Sequence, residues 1–312
     1  MNERPPKIES VKESKDNILK KLLENPEIKS VVELRFFRHS IKETDTLKPD
    51  QDIELTSDGK EYAKKQLEND TDIRQSLAFG SPRKRTQETA MFVMSGQENE
   101  ILGNENFDEL KEKLNQDLKV GSKIGIDENL DFKEDPNSEY YKEAIQSVHD
   151  GWYLKYLVEQ SDKRAEELGD TISATYTRQA QKVARIIKKY GTILPRWTEI
   201  VSDNPDKYTK LLERFMGTHQ GVAECFLAKL MEVYSGDTEL RDKFVASLNN
   251  KGFDFVEGLK IYLADESKPY PTIIVEYKHT DPKDSSKNFE FSKEVNYGMI
   301  DEILDGDDVN WF

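Results

Sequence analysis

Cysteine and histidine are scarce in this sequence: 312 residues contain one cysteine, Cys225, and four histidines. A single cysteine excludes an internal disulfide and fits a reducing compartment. No stretch approaches the roughly 20 consecutive apolar residues that a membrane span requires. The first 14 residues are polar and of mixed charge, without the apolar core of a signal peptide. A soluble cytoplasmic protein with no membrane partner is the expectation. Positive charge is also in deficit, with 46 Lys and Arg against 61 Asp and Glu, a net charge of −15. Such a chain is a poor partner for nucleic acid, whose backbone demands basic patches. Any phosphate-bearing ligand would need positive potential built locally, against the field of the whole molecule.

What is present suffices for a core. Hydrophobic residues make up 36% and aromatics 10%, while 34% are charged, implying a very polar surface or long solvated helices. The length allows one large α/β domain with insertions or two smaller ones. The reading adopted here is an N-terminal arm and short helix over 1–27, then a single α/β domain over 28–312. An irregular, charge-rich stretch at about 95–170 reads as a helical insertion on one side of the core.

The strongest strand signal is 28–37, where Val31, Val32, Leu34, Phe36 and Phe37 suit a mostly buried strand. It runs directly into Arg38-His39-Ser40. A helix is expected from about Thr56, a second strand over 76–79, and a helix carrying Arg85, Thr89, Ala90 and Val93. Charged helices are expected over 107–118 and 139–160, and an extended segment over 124–132. A long amphipathic helix is expected over 171–190, ended by Gly191. A strand over 211–218 leads to His219, and a helix over 220–234 follows. Strands over 259–264 and 272–277 precede an acidic tail. Alternation of this kind predicts an α/β fold with a mostly parallel sheet flanked by helices.

Chemistry at the carboxyl end of a buried strand is what open α/β sheets favour. A neutral imidazole such as His39 can attack phosphorus, and the neighbouring Arg38 guanidinium can grip two phosphate oxygens. One Arg-His pair is weak evidence, because such pairs also occur as surface or capping residues. Two further features strengthen it. Ser81-Pro82-Arg83-Lys84-Arg85 gathers basic residues at a helix start, where free amides favour anions. His219, in Gly217-Thr218-His219-Gln220-Gly221, repeats the position of His39 between strand and helix. Within the basic run, Arg83 and Lys84 also fit an ordinary solvated face. Cys225 reads as a small buried apolar side chain, and His149 and His279 as surface or packing residues.

Taken together these motifs resemble the histidine phosphatase superfamily, the phosphoglycerate-mutase-like proteins. Arg38-His39-Ser40 is similar to its Arg-His-Gly motif, and Leu55-Thr56-Ser57-Asp58-Gly59 to its Leu-Thr-x-x-Gly helix start. Ser81, Pro82, Arg85, Thr89 and Ala90 match Ser-Pro-x-x-Arg-x-x-x-Thr-Ala, and Thr218-His219-Gln220-Gly221-Val222 matches Thr-His-x-Gly-Val. The four motifs stand in the family's order. The resemblance implies a phosphomonoester hydrolase acting through a phosphohistidine on His39. Arg38 and Arg85 would clamp phosphate oxygens, and His219 would donate a hydrogen bond to the phosphoryl group. It also implies no metal or other cofactor, and a phosphorylated small molecule or phosphoprotein as substrate. A phosphomutase, or a weakly catalytic member that binds a phosphorylated ligand, are the alternatives. Two positions depart from the pattern: Ser40 replaces glycine and adds a hydroxyl beside the nucleophile, and Ile41 replaces an acidic or amide residue.

The leaving alkoxide needs a carboxylic acid, ideally of raised pKa. The candidates are Glu128, Asp131, Glu134 and Asp135, with Glu134 favoured and Asp131 next. The pattern is silent on oligomeric state.

Overall fold

The computed structural model describes residues 17–45, 47–66, 75–96, 107–109, 111–112 and 123–305. Most of the helix expected over 107–118 lies outside them. The strands are β1 (Ser30–Arg38), β2 (Leu77–Gly80), β3 (Ile124–Ile126), β4 (Leu211–Thr218), β5 (Gly258–Asp265), β6 (Thr272–His279) and β7 (Phe289–Val295). They form one seven-stranded sheet in the order β3-β2-β4-β1-β5-β6-β7.

The sheet is mixed rather than mostly parallel. Pairings β3-β2, β2-β4 and β4-β1 are parallel, whereas β1-β5, β5-β6 and β6-β7 are antiparallel. The physical reason is connection length. Parallel neighbours need a long crossover, and helices supply it between the early strands. β5 and β6 are joined by a short Pro-containing turn, which can only reverse direction. β7 adds to the edge after another short connection.

Helices cover both faces. The helices are α1 (Asn17–Glu24), α2 (Ser57–Lys64), α3 (Lys84–Ser95), α4 (Glu139–His149), α5 (Tyr153–Tyr156), α6 (Asp162–Glu167), α7 (Tyr176–Asp203), α8 (Val222–Ser235), α9 (Glu239–Ser247) and α10 (Tyr297–Leu304). The period of two in β1 and β4 divides the core between the faces. Val32, Leu34, Phe36, Leu212 and Met216 pack with α7 and α8. Phe37 and Phe215 pack with α3 on the opposite side. That second face also buries charge. Arg35 donates to Glu33 at 2.9 and 3.0 Å and to Glu213 at 3.1 Å, and Ser76 Oγ donates to Glu213 at 3.0 Å.

Two helices depart from expectation. α7 starts later and runs beyond Gly191. Asp170 takes the amides of Ile172 and Ser173 at 2.9 and 2.7 Å, which keeps 171–175 out of the helix. Gly191 is a contact glycine rather than a cap: a Cβ there would meet Tyr297 Oη at 2.8 Å. Beyond it Leu194 and Trp197 continue the buried stripe. The helix expected over 139–160 is broken at Gly151, which has φ +76°; a π-helical turn, Leu157–Ser161, lies between α5 and α6. Among the described residues, no helix is long and apolar enough to cross a membrane.

Candidate active site

The four parallel strands deliver the candidate residues to one end of the sheet: His39 directly after β1, Ser81 directly after β2, Asp131 five residues after β3 and His219 directly after β4. Phe37 pairs with Gly217 in register and Arg38 with Thr218, so the two histidines leave adjacent strands side by side. His39 N donates to Thr218 O at 2.8 Å. The imidazoles meet edge to face, with centroids 5.5 Å apart. Both rings are buried.

His39 has a defined orientation. Its Nδ1 lies 2.8 Å from Ser40 O. A carbonyl only accepts, so Nδ1 carries the proton and Nε2 the lone pair of the neutral ring. Burial, then the charges of His219, Arg38 and Arg85, push the His39 pKa well below its ordinary value, which keeps that lone pair available.

α3 brings Arg85 to the same place. Gly80 and Gly217 face each other in register, and α3 begins on top of them. A Cβ at Gly80 would meet the Gln87 backbone at 2.5 Å, and one at Gly217 would meet Thr86 O at 2.1 Å. Only glycine allows so close an approach. Thr89 then ties the helix to the loop that carries His39, its Oγ1 accepting from Ser40 N at 3.0 Å. Arg85 is buried, and its guanidinium donates to Asp50 O at 2.7 Å and Asp50 Oδ2 at 3.0 Å. Its Nε is buried without a partner among the described residues, as is Nδ1 of His219.

Arg38 is held from the far side. Its Nη1 donates to Phe253 O at 2.7 Å, and its guanidinium lies 4.7 Å over the Phe255 ring. The loop that does this, 249–257, is strained: Asn249, Asn250, Gly252 and Val256 all have positive φ, and a β-branched residue in that region is a rare outlier. Glu224, on α8, accepts from Phe253 N at 2.9 Å and from Gly221 N at 3.0 Å. One buried carboxylate thereby links the Arg38 loop to the His219 turn.

The acidic candidates separate by environment. Asp131 Oδ1 accepts from Arg83 Nε at 2.9 Å and lies 3.4 Å from His219 Nε2. Burial pushes its carboxyl up, but the His219 hydrogen bond and the Arg83 charge prevail and hold it at about 2. Asp131 is therefore an ionised partner, unfit to supply a proton near neutral pH. Glu134 is half-buried, and burial raises its pKa while Arg83, Asp131, Arg85 and Lys42 act on it in that order. Glu128 is exposed, and Asp135 caps a turn through Asn137 N at 3.0 Å. His219 is driven down to about 3 by burial, with Arg85 and Arg83 opposing its charged form and Asp131 favouring it.

No family model matches the chain, and no curated protein matches it in sequence. Solved structures do match. One is a mycobacterial glucosyl-3-phosphoglycerate phosphatase, 13% identical, covering 75% of this chain and 91% of that one at a TM-score of 0.41. Another is the phosphoglycerate mutase of Bacillus anthracis, 12% identical, covering 90% and 100% at 0.40. A variant phosphoserine phosphatase from Entamoeba histolytica in complex with phosphoserine is 12% identical, covering 78% and 94% at 0.36. These three are two phosphatases and a phosphoglycerate mutase.

Of the departures from the motifs that the sequence resembles, Ser40 is sterically easy. It is absent from the residues with positive φ. Its Oγ donates to Gly59 O at 2.8 Å, so the added hydroxyl is spent on α2. The basic run 83–85 divides. Lys84 lies 3.5–4.0 Å from Asp52, Glu54 and Asp108 in a partly exposed setting, as a solvated residue does. Arg83 instead faces the site, bridging Asp131 and Asp50 and lying 4.3 Å over Phe132. Four residues escape the sequence reading: Lys42, Asp50, and Phe253 and Phe255, which support Arg38. His279, read as a surface or packing residue, donates from Nδ1 to Glu257 Oε1 at 2.7 Å, and the Glu257 backbone O accepts from Arg38 N.

Proposed function

We propose that the protein is a phosphomonoester hydrolase that forms a phosphohistidine on His39. The observation that carries this reading is an oriented imidazole, with its lone pair on Nε2, beside two buried nitrogens that have no partner among the described residues, Arg85 Nε and His219 Nδ1. Buried polar atoms are rarely left unsatisfied. Phosphoryl oxygens would satisfy both.

His39 Nε2 attacks phosphorus and the ester oxygen departs with the bonding pair. Glu134, whose neutral carboxyl is favoured by burial, gives that oxygen a proton. Arg38 and Arg85 neutralise the equatorial oxygens. The incoming dianion favours protonated His219, which donates from Nδ1 while Nε2 stays with Asp131 and Ser81. Water then attacks the phosphohistidine, returning its proton to the Glu134 carboxylate, and phosphate leaves with His39 restored.

Release of p-nitrophenol from p-nitrophenyl phosphate between pH 5 and 7 tests this. Wild type should turn over, and His39→Ala should lose on the order of a thousandfold or more. Equal rates for the two proteins across a broad phosphoester panel would sink the hydrolase reading.

A further inference from the structure

The positive cluster at the site is larger than one phosphoryl group requires. Arg38 and Arg85 suffice for a phosphoryl dianion, yet Lys42 and Arg83 stand beside them. Lys42 feels Arg85, Arg83 and Arg38, and burial together with those three charges brings its pKa down to about 8. Cations crowded in this way call for an anion between them.

The chain supplies one itself. Asp50 Oδ2 accepts from Arg85 Nη2 at 3.0 Å and from Arg83 Nη1, and Oδ1 lies 3.8 Å from Lys42 Nζ. Three cations converging on one carboxylate is the geometry of an anion site. Asp50 is loosely built into that place. It opens a three-residue 3-10 turn, Asp50–Asp52, which contains no buried residue, and its side chain is 43% exposed. Of the residues it contacts, Arg85 is 2% exposed and Arg83 is pinned by Asp131 and Phe132, whereas the Lys42 side chain is itself 40% exposed. The two arginines are therefore in position whether or not Asp50 is, and the Lys42 ammonium is free to reach an anion placed between them.

We propose that Lys42 and Arg83 form a second anion subsite, which the Asp50 carboxylate holds and a ligand displaces, so that the substrate is a phosphomonoester bearing a second anionic group close to the phosphoester. This rests on the phosphoryl cradle proposed above. Arg85 contributes to both places, so the two anionic groups must be near neighbours. Displacing Asp50 exchanges one internal anion for one ligand anion and leaves the local charge balanced. A ligand with a single phosphoryl group would either meet Asp50 beside it or leave Lys42 without a counter-charge.

The test is calorimetric binding to the full-length chain carrying His39→Ala, which prevents turnover. Phosphoglycolate carries a carboxylate next to its phosphoester, and methyl phosphate carries none. Phosphoglycolate should bind at least tenfold more tightly. Asp50→Asn should tighten phosphoglycolate severalfold and methyl phosphate less. Lys42→Met should bring the two ligands within about twofold, and Lys42→Arg should restore the preference. Equal affinity for the two ligands, a preference that survives Lys42→Met, or weaker phosphoglycolate binding in Asp50→Asn would each overturn the subsite. If turnover by wild type is intact, such a result leaves the hydrolase reading standing. Failure of both ligands to bind would remove the cradle and the subsite together.

Discussion

The sheet has two halves that solve different problems. Its parallel half, β3-β2-β4-β1, carries charge: the ion triad Glu33-Arg35-Glu213 lies within it and the site residues at its end. Its antiparallel half, β5-β6-β7, contributes apolar packing through Ile261, Leu263, Ile273, Val275 and Phe291. Only the loop before β5 reaches the site, as backbone and aromatic support for Arg38. Parallel strands all end on the same side, so one edge of the sheet collects several side chains. Antiparallel strands alternate, and β5 offers that edge its amino end. Chemistry is therefore concentrated where strand direction repeats.

The largest test of this division is Arg35→Met, which leaves Glu33 and Glu213 buried without their cation. A loss of about 3–5 kcal/mol in unfolding free energy is expected, with activity per folded molecule little changed. Urea denaturation and active-site titration would measure the two separately, and a loss of only a few tenths of a kcal/mol would show that the triad is not what holds β1 to β4. Glu134→Gln comes next. It should lower kcat about 10²- to 10⁴-fold and spare phosphate binding. Because burial raises the Glu134 pKa, the proton donor is present at low pH and is lost as pH rises through that raised value. His39, held far below its ordinary pKa, stays neutral on the acid side. A kcat–pH profile should accordingly fall on the basic limb in wild type and lose that limb in Glu134→Gln. If Asp131→Asn produced this change and Glu134→Gln did not, the assignment would be reversed. Arg85→Ala should weaken inhibition by vanadate by about 1.5–3 kcal/mol; unchanged inhibition would take Arg85 out of the cradle. The smallest effect is expected from the antiparallel side. Phe255→Ala should weaken vanadate inhibition by about 0.5–2 kcal/mol through Arg38, with kcat nearly intact. A collapse of kcat instead would mean that the loop before β5 takes part in chemistry.

The same contrast explains what the sequence reveals. β1 and β4 are legible because buried parallel strands read as continuous hydrophobic runs, and His39 and His219 stand where those runs end. Arg85 is legible because it sits in a fixed spacing with Ser81 and Thr89. Asp50 and Lys42 lie in a loop without periodicity, where charge pairs are set by three-dimensional proximity. β7 is an edge strand whose Glu290, Lys293 and Glu294 suit a solvated face, so it lacks a hydrophobic run. The length of α7 is concealed by Gly191 and Pro195, which read locally as stops although tertiary packing carries the helix through them. Sheet direction is misjudged for a related reason: strand signals do not encode polarity, and the short turn between β5 and β6 is the clue that outweighs the earlier alternation.

Gly80 and Gly217 act as a gauge. They fix the gap between α3 and the sheet at the thickness of two backbones, and so set how far Arg85 reaches. A methyl group on either would act as a shim, lifting the helix and retracting the guanidinium although no atom touching phosphate had changed. Displacements of about an ångström of this kind can cost on the order of a hundredfold in rate. Two positions with no side chain at all are thus expected to be as intolerant of mutation as His39, and a scan of this chain for function should count them among its most sensitive sites.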